Sequence, residues 1–389
     1  MNTGVDFWSL TEEQRIILER ARRFAEQEVK PVAKELDRSA HFFPEIYRKM
    51  AEVGLLGITI STEWGGVGAD TVSYVIVMEE LGWGYASIAD QCGLVELCST
   101  LLSELGTREQ KEGFLAPLLR AELKVSFALT EPDAGSDLAS IITRAHKTSD
   151  GYLLNGSKTF IHNAPVCDFA LVLARSQEDS VGHRGMSIFI VESTSPGFSR
   201  GKKENKMGQR ASQLSELVFE DCPLGHKALL GKEGEGFKNM MIVLGKGRIG
   251  IAALSLGITR AAMEESLSFA KKPVPFGQPI SSFQATQWKL AEMAVDIFAA
   301  RAMIMHAAKL KDKGIPAFMH AAMAKLFASE MTEKHTRAAL DIHGCYGCFN
   351  DYPVERLVRD ARVTRIYEGT SEIQHIIIAR SLLEKGLMP

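Results

Sequence analysis

Three long apolar-striped segments, residues 237–270, 282–314 and 315–342, constrain this chain most. Each keeps apolar residues at helical spacing over far more than a typical globular helix. Pro273, Pro275 and Pro279 break the first from the second. Gly344 and Gly347 end the third, and a shorter helical pattern follows over residues 355–363. Long amphipathic helices joined by short breakers bury their stripes only by lying side by side. They predict an up-and-down four-helix bundle.

The rest of the chain is placed by contrast with that bundle. In the first ~120 residues Leu10, Ile17, Ala21 and Phe24 keep helical spacing between charged residues. Pro44 opens a second helix ending near Gly54, helical patterning resumes over 72–81 and 88–105, and Thr107 to Gln110 reads as a further helix start. The texture changes near Leu123. Residues 125–129, 169–174, 186–191 and 214–219 read as strands, and Asp150-Gly151 and Asn155-Gly156 are hairpin dipeptides. The expected class is therefore α+β. It comprises an N-terminal helical domain (1–122), a middle antiparallel β domain (123–230) and a C-terminal four-helix-bundle domain (231–389).

Composition narrows the function classes. The 389 residues carry a net charge of -3, which does not favour nucleic acid or an anionic membrane as partner. No run approaches ~18 uninterrupted apolar residues, so no membrane span is expected. The N-terminal residues lack an apolar signal core, which makes the cytoplasm the default location. Cys345 and Cys348 form a single C-x-x-C with no second pair to complete a zinc site, so no metal site is expected. Gly231, Gly234 and Gly236 resemble a nucleotide loop only superficially, because no βαβ unit surrounds them. The glycines from Gly65 to Gly68 lack the lysine of a P-loop.

Chemistry concentrates in residues 351–380, DYPVERLVRDARVTRIYEGTSEIQHIIIAR. Ser371 and Gln374 read as a capping box ahead of an apolar stripe at Ile373, Ile376 and Ile377, so Glu368 lies just before a helix N-terminus. A carboxylate there either serves the helix dipole or is a base held in a pocket.

Five segments decide between these readings: FALTEPDAGSD (127–137), NGSKTFIHN (155–163), MGQRA (207–211), FGQPISSFQ (276–284), and PVERLVRDAR with IYEGTSEIQ near the end. Over essentially its full length the chain resembles the acyl-CoA dehydrogenases, in the short, medium and branched-chain type with the base in IYEGTSE. The resemblance implies an FAD-dependent α,β-dehydrogenation of an acyl-CoA thioester to the trans-2-enoyl-CoA. Glu368 would take the α-proton, and the flavin N5 would accept the β-hydride. It further implies that Phe127, Leu129, Thr130, Gly135, Ser136, Phe160 and His162 hold the flavin. Phe276, Gln284, Asp341 and Gly344 would hold its nucleotide half, from the same or a neighbouring subunit. Thr370 and Glu372 would contact the cofactor at the helix start. Ser136, Arg248 and Gly369 would contact substrate, and Arg380 would support the catalytic region. In some relatives the base sits on a bundle helix beside an arginine. Here that place is Gly247, next to Arg248, so Glu368 is left as the matching carboxylate. A homotetramer (dimer of dimers) and an electron-transfer flavoprotein as electron acceptor also follow from the resemblance.

Four positions depart from the family pattern: Phe160-Ile161-His162 in place of Trp-x-Thr, Pro273 in place of an arginine, Asp341 in place of a glutamine and Cys345 in place of a glycine. They bear on the adenine and pyrophosphate contacts rather than on the fold. An alternative reading keeps the fold but makes the substrate a carrier-protein thioester, handled by a biosynthetic dehydrogenase or oxidase. A non-catalytic binding protein with a degenerate cofactor site is a third, and the intact IYEGTSE argues against it.

Overall fold

The computed structural model describes residues 10–177, 180–272 and 277–386. Among them, seven helices precede the sheet: α1 (Glu12–Phe24), α2 (Ala33–Ser39), α3 (Pro44–Glu52), α4 (Thr71–Gly84), α5 (Ala86–Leu105), α6 (Arg108–Gln110) and α7 (Ala116–Leu119). Thr107 and Gln110 close a capping box at the helix start expected for α6, and Thr11 and Gln14, which the sequence reading passed over, close one on α1.

Eight strands follow: β1 (Val125–Ala128), β2 (Arg144–Thr148), β3 (Gly151–His162), β4 (Phe169–Arg175), β5 (Met186–Glu192), β6 (Phe198–Arg200), β7 (Leu214–Gly225) and β8 (Leu229–Leu230). They form one sheet in the order β6-β7-β3-β2-β4-β5-β8, with β1 also on β4. The sheet is mixed rather than purely antiparallel, because β1 runs parallel to β4. Asp150-Gly151 does turn β2 into β3. Asn155-Gly156, in contrast, is no hairpin: it lies inside β3 at a bulge against β7. Gly156 sits there at φ 139°, where an added Cβ would press on the Thr143 backbone at 2.8 Å. Strands β4 and β5 read as continuous apolar runs because both their faces are buried. Phe169, Leu171 and Ile188 face the helices, whereas Ala170, Val172 and Phe189 face a second core with Leu154 and Phe219.

The bundle is α8 (Gly236–Ala270), α9 (Gln284–Asp312), α10 (Phe318–His343) and α12 (Ser371–Lys385), with α11 (Val354–Arg362) before the last. Among the described residues one helix, α8, is long and apolar enough to cross a membrane by length and composition. Within the fold, 89% of its most apolar window is buried. Helices α4 and α8 cross closely because glycines meet there. A Cβ at Gly82 would lie 2.7 Å from the Leu254 carbonyl oxygen, and one at Gly257 would lie 2.7 Å from Trp83 N. Asp312, at the end of α9, accepts from the Thr71 and Val72 amides at 2.7 and 3.2 Å and so caps α4. The two helical parts are thus fastened to each other, and the segment between α11 and α12 is seated against both α8 and α10.

Candidate active site

The segment between α11 and α12 is built backwards from its helix start. Thr370, not Ser371, is the N-cap of α12; its hydroxyl accepts from Ile373 N at 3.4 Å. Ser371 instead donates to Glu330 at 2.7 Å. The capping pair is therefore displaced by one residue from the sequence expectation. Gln374 still reaches back, but as a donor to the carbonyls of Gly369 (2.8 Å) and Glu368 (3.3 Å). Both residues adopt left-handed backbone, Glu368 at φ 55° and Gly369 at φ 94°. That conformation is unfavourable for a residue with a Cβ, and here it turns the Glu368 side chain inward.

The carboxyl lies against α8. An added Cβ at Gly247 would stand 2.8 Å from Glu368 Cδ and nearer still to Oε2. Although the residue is only half-buried as a whole, Oε2 is fully enclosed and has no hydrogen-bond partner. Burial pushes the Glu368 carboxyl up to about 7; Arg248 pulls it down, Asp90 pushes it up, and Lys325 pulls it down again. Burial therefore outweighs the nearby cations. Arg248 is itself buried, not a surface arginine, and its Nε also lacks a partner. Burial lowers its guanidinium below the usual range, opposed by Glu368.

The TEPDAGSD segment is held from below by a buried ion pair. Lys158 Nζ lies 2.8 Å from Glu131 and donates to the Leu129 carbonyl at 2.9 Å. Glu131 also accepts from the Ile142 and Thr143 amides at 2.6 and 3.0 Å. Burial lowers the lysine to about 8, against the pull of Glu131. Lys158→Met leaves that carboxylate buried without its cation. It should cost about 3 kcal/mol of stability in denaturant unfolding; an unchanged midpoint would show that the amides alone suffice.

Above this pair Leu129 is buried, Phe127 and Thr130 are half-buried, and Gly135 and Ser136 are exposed. The Thr130 carbonyl accepts from Thr159 N at 2.9 Å, which joins the segment to β3. Phe160 is 66% exposed at φ 57°. His162 turns the other way. Its Nε2 is 2.8 Å from Ser212 Oγ, its Nδ1 is 3.2 Å from Asp90, and burial lowers its imidazole below the ordinary value. Both ring nitrogens of the histidine are thus engaged by protein groups.

The other predicted residues divide in two. Thr370 and Gly369 belong to the turn that carries Glu368, and Glu372 is exposed in the first turn of α12. Gln284 and Asp341 are exposed near each other, with Asp341 bridged to Lys289 on α9 at 3.0 Å. Gly344 is exposed at φ 58° just beyond α10. Asp341 lies sixteen residues along α10 from Lys325, which touches the turn that carries Glu368, so the two regions are roughly 24 Å apart. Phe276 and Pro273 lie outside the described residues. Arg380 is exposed on α12 and makes no ion pair among the described residues.

Sequence reasoning missed several groups. Asp90 on α5 faces both His162 and Glu368. Gln209 holds the Tyr367 hydroxyl at 3.2 Å and the Asp360 carbonyl at 3.1 Å. Lys325 on α10 donates to the Gly369 carbonyl at 2.7 Å. An isolated lysine or aspartate inside an apolar helical run was the available signal.

The exposed Phe160 ring and the exposed backbone turn at Gly135 and Ser136 suit the expected flavin, a planar, largely apolar heterocycle with a polar edge. A cleft elsewhere, of about 470 Å³, is lined in part by Glu79, Glu80, Arg260 and Arg301. Those four charges pair with one another.

Comparison with known proteins agrees over the whole chain. Residues 11–122, 126–222 and 234–383 match the families described as acyl-CoA dehydrogenase N-terminal, middle and C-terminal domain. The chain is 43% identical over 380 residues to a protein of Clostridium acetobutylicum named short-chain specific acyl-CoA dehydrogenase, covering 96% of this chain and 99% of that one. It is 42% identical over 378 residues to the caffeyl-CoA reductase-Etf complex subunit CarC of Acetobacterium woodii, covering 96% and 99%. The solved structure of butyryl-CoA dehydrogenase from Megasphaera elsdenii superposes with a TM-score of 0.93 at 40% identity, over 97% of this chain and all of that one.

Proposed function

The chain belongs to the acyl-CoA dehydrogenase family, and we propose that it interconverts a short acyl-CoA and its trans-2-enoyl-CoA, with Glu368 as the base. The observation that carries this reading is the enclosed, unpartnered Glu368 Oε2 lying on Gly247. A carboxylate buried without a donor is costly unless something uses it. The short-chain assignment draws on the names of the relatives.

FAD is the cofactor of this family, and when bound it supplies the acceptor for the hydride leaving the β-carbon. Phe127, Leu129, Thr130, Gly135, Ser136 and Phe160 would hold its ring, with Thr370 and Glu372 at the helix start. His162 would act from behind, through Ser212 and Asp90. Gln284, Asp341, Gly344 and Phe276 would hold the nucleotide half.

The chain's own residues account for the proton. Glu368 Oε2 takes the α-proton of the thioester, and its raised affinity makes it a competent base near neutrality. Arg248, beside it, holds the acyl-CoA and steadies the negative charge that develops as the proton leaves. Ser136 and Gly369 complete the substrate contacts. An entering acyl chain expels the remaining water and strengthens each of these interactions. The same carboxyl, when protonated, returns a proton to the α-carbon. The direction of net reaction is then set by the electron partner, and the reductase name of the Acetobacterium relative fits such use.

We assign that partner as an electron-transfer flavoprotein, in a cytoplasmic homotetramer arranged as a dimer of dimers. Trp288, Val295 and Phe298 are exposed along α9, a face suited to cover by other subunits.

The test is direct. Butyryl-CoA should bleach the flavin of the purified protein. Its kcat/KM should rise with pH through about 7 and level off above, because only the ionised carboxylate accepts the proton. A profile that stays flat between about pH 5.5 and 8.5 would remove Glu368 from the role.

A further inference from the structure

Lys325 occupies an unusual place for a lysine. Its sequence neighbours Ala321, Ala322, Ala324 and Ala328 on α10 are buried, and it is itself 0% exposed. Among the described residues it forms no ion pair. Its ammonium instead donates to the Gly369 carbonyl at 2.7 Å, one residue beyond Glu368. A buried cation without a carboxylate is expensive, and its chain position alone does not require it. The Gly369 carbonyl also receives Gln374, and the two donors draw it into the bundle from α10 and α12. The left-handed backbone at Glu368 and Gly369 is what that pull maintains.

We infer that Lys325 is a positioning residue for the base: it anchors the Gly369 carbonyl, locks the Glu368–Gly369 turn and keeps the carboxyl over Gly247. The inference rests on the reading of Glu368 as base. A second consequence is electrostatic. The groups facing Glu368 are Arg248 from α8, Lys325 from α10, Asp90 and Cys98 from α5, Tyr74 from α4 and the adjoining Tyr367. Those facing Lys325 are Glu368, Arg248, Glu330 and Arg365. Burial pulls the ammonium down to about 8, with Glu368 holding it up. Lys325 therefore still contributes positive charge behind the base at neutral pH.

The experiment compares Lys325→Met and Lys325→Gln with Glu368→Gln in the FAD-loaded protein, using butyryl-CoA. The methionine variant should keep its flavin content and melt no lower than wild type, since a buried charge is removed. Its bleaching rate should fall about tenfold with the half-saturating butyryl-CoA concentration little changed. The acidic limb of its pH profile should move up by about one unit. The glutamine variant, which keeps a donor without the charge, should recover part of the rate but show the same shifted limb. A wild-type rate and limb in Lys325→Met would overturn the inference while leaving the base reading intact, provided Glu368→Gln is inactive. Failure of both lysine variants to fold as flavoproteins would also overturn it, by making the residue merely structural. Retained turnover in Glu368→Gln would instead sink the base reading itself.

Discussion

Glu368→Gln should lose about 10³-fold or more in turnover while keeping its flavin. The substitution is nearly isosteric, so the turn held by Lys325 and Gln374 has no reason to move. What disappears is the carboxylate proposed to take the α-proton. The loss corresponds to about 4 kcal/mol of transition-state stabilisation. Stability should not follow activity. The wild-type carboxyl is enclosed with Oε2 unpartnered, and burial disfavours its charged form, so a neutral amide removes an unfavourable burial. Visible absorbance should show bound flavin and the melting temperature should be unchanged or higher, while anaerobic bleaching by butyryl-CoA stops. Turnover within about tenfold of wild type would mean that another group removes the proton.

Much of the architecture was legible because it is written in punctuation and period. Prolines and glycines bracket α8, α9 and α10, and the stripes between them keep helical spacing, so their ends fall within a few residues of expectation. The strands of the middle region were equally visible as apolar runs between turn residues. What stayed hidden depends on partners distant in sequence. Asn155-Gly156 carries the dipeptide of a hairpin, but Gly156 is required by the Thr143 backbone across the sheet. The parallel pairing of β1 with β4 joins residues more than forty positions apart, and no local signal records it. In the site, Glu368 and Arg248 stand in stretches distinctive enough to be recognised. Lys325 and Asp90 do not: each is one charged residue in an apolar helix, and only the fold shows that both face the same carboxyl. His162 attracted notice as a departure near the flavin, yet its ring is committed to Ser212 and Asp90.

Gly247→Ala should lower kcat/KM by about a hundredfold or more without unfolding the protein. By helix propensity alone the change is favourable, since glycine inside a helix is worth about 1 kcal/mol less than alanine. The conflict is with the base. The new methyl would occupy the space of the Glu368 carboxyl, whose Cδ lies 2.8 Å from that point. Around Gly247 α8 is buried without interruption from Val243 to Thr259 and cannot retreat, whereas a carboxyl is the far end of a flexible side chain. It will rotate away, and the geometry for proton transfer goes with it. The melting temperature should therefore shift by only a few degrees while activity collapses, the opposite of a core-packing defect. Gly245→Ala supplies the control: its Cβ would meet only the Phe318 ring, at 3.2 Å, and most activity should survive. If Gly247→Ala and Gly245→Ala were equally active, the carboxyl would not be working from the position it holds against α8. If both were equally impaired, α8 packing rather than the base would be the cause. An activity loss confined to position 247, with flavin retained, ties the reaction to that one contact between the catalytic turn and the bundle.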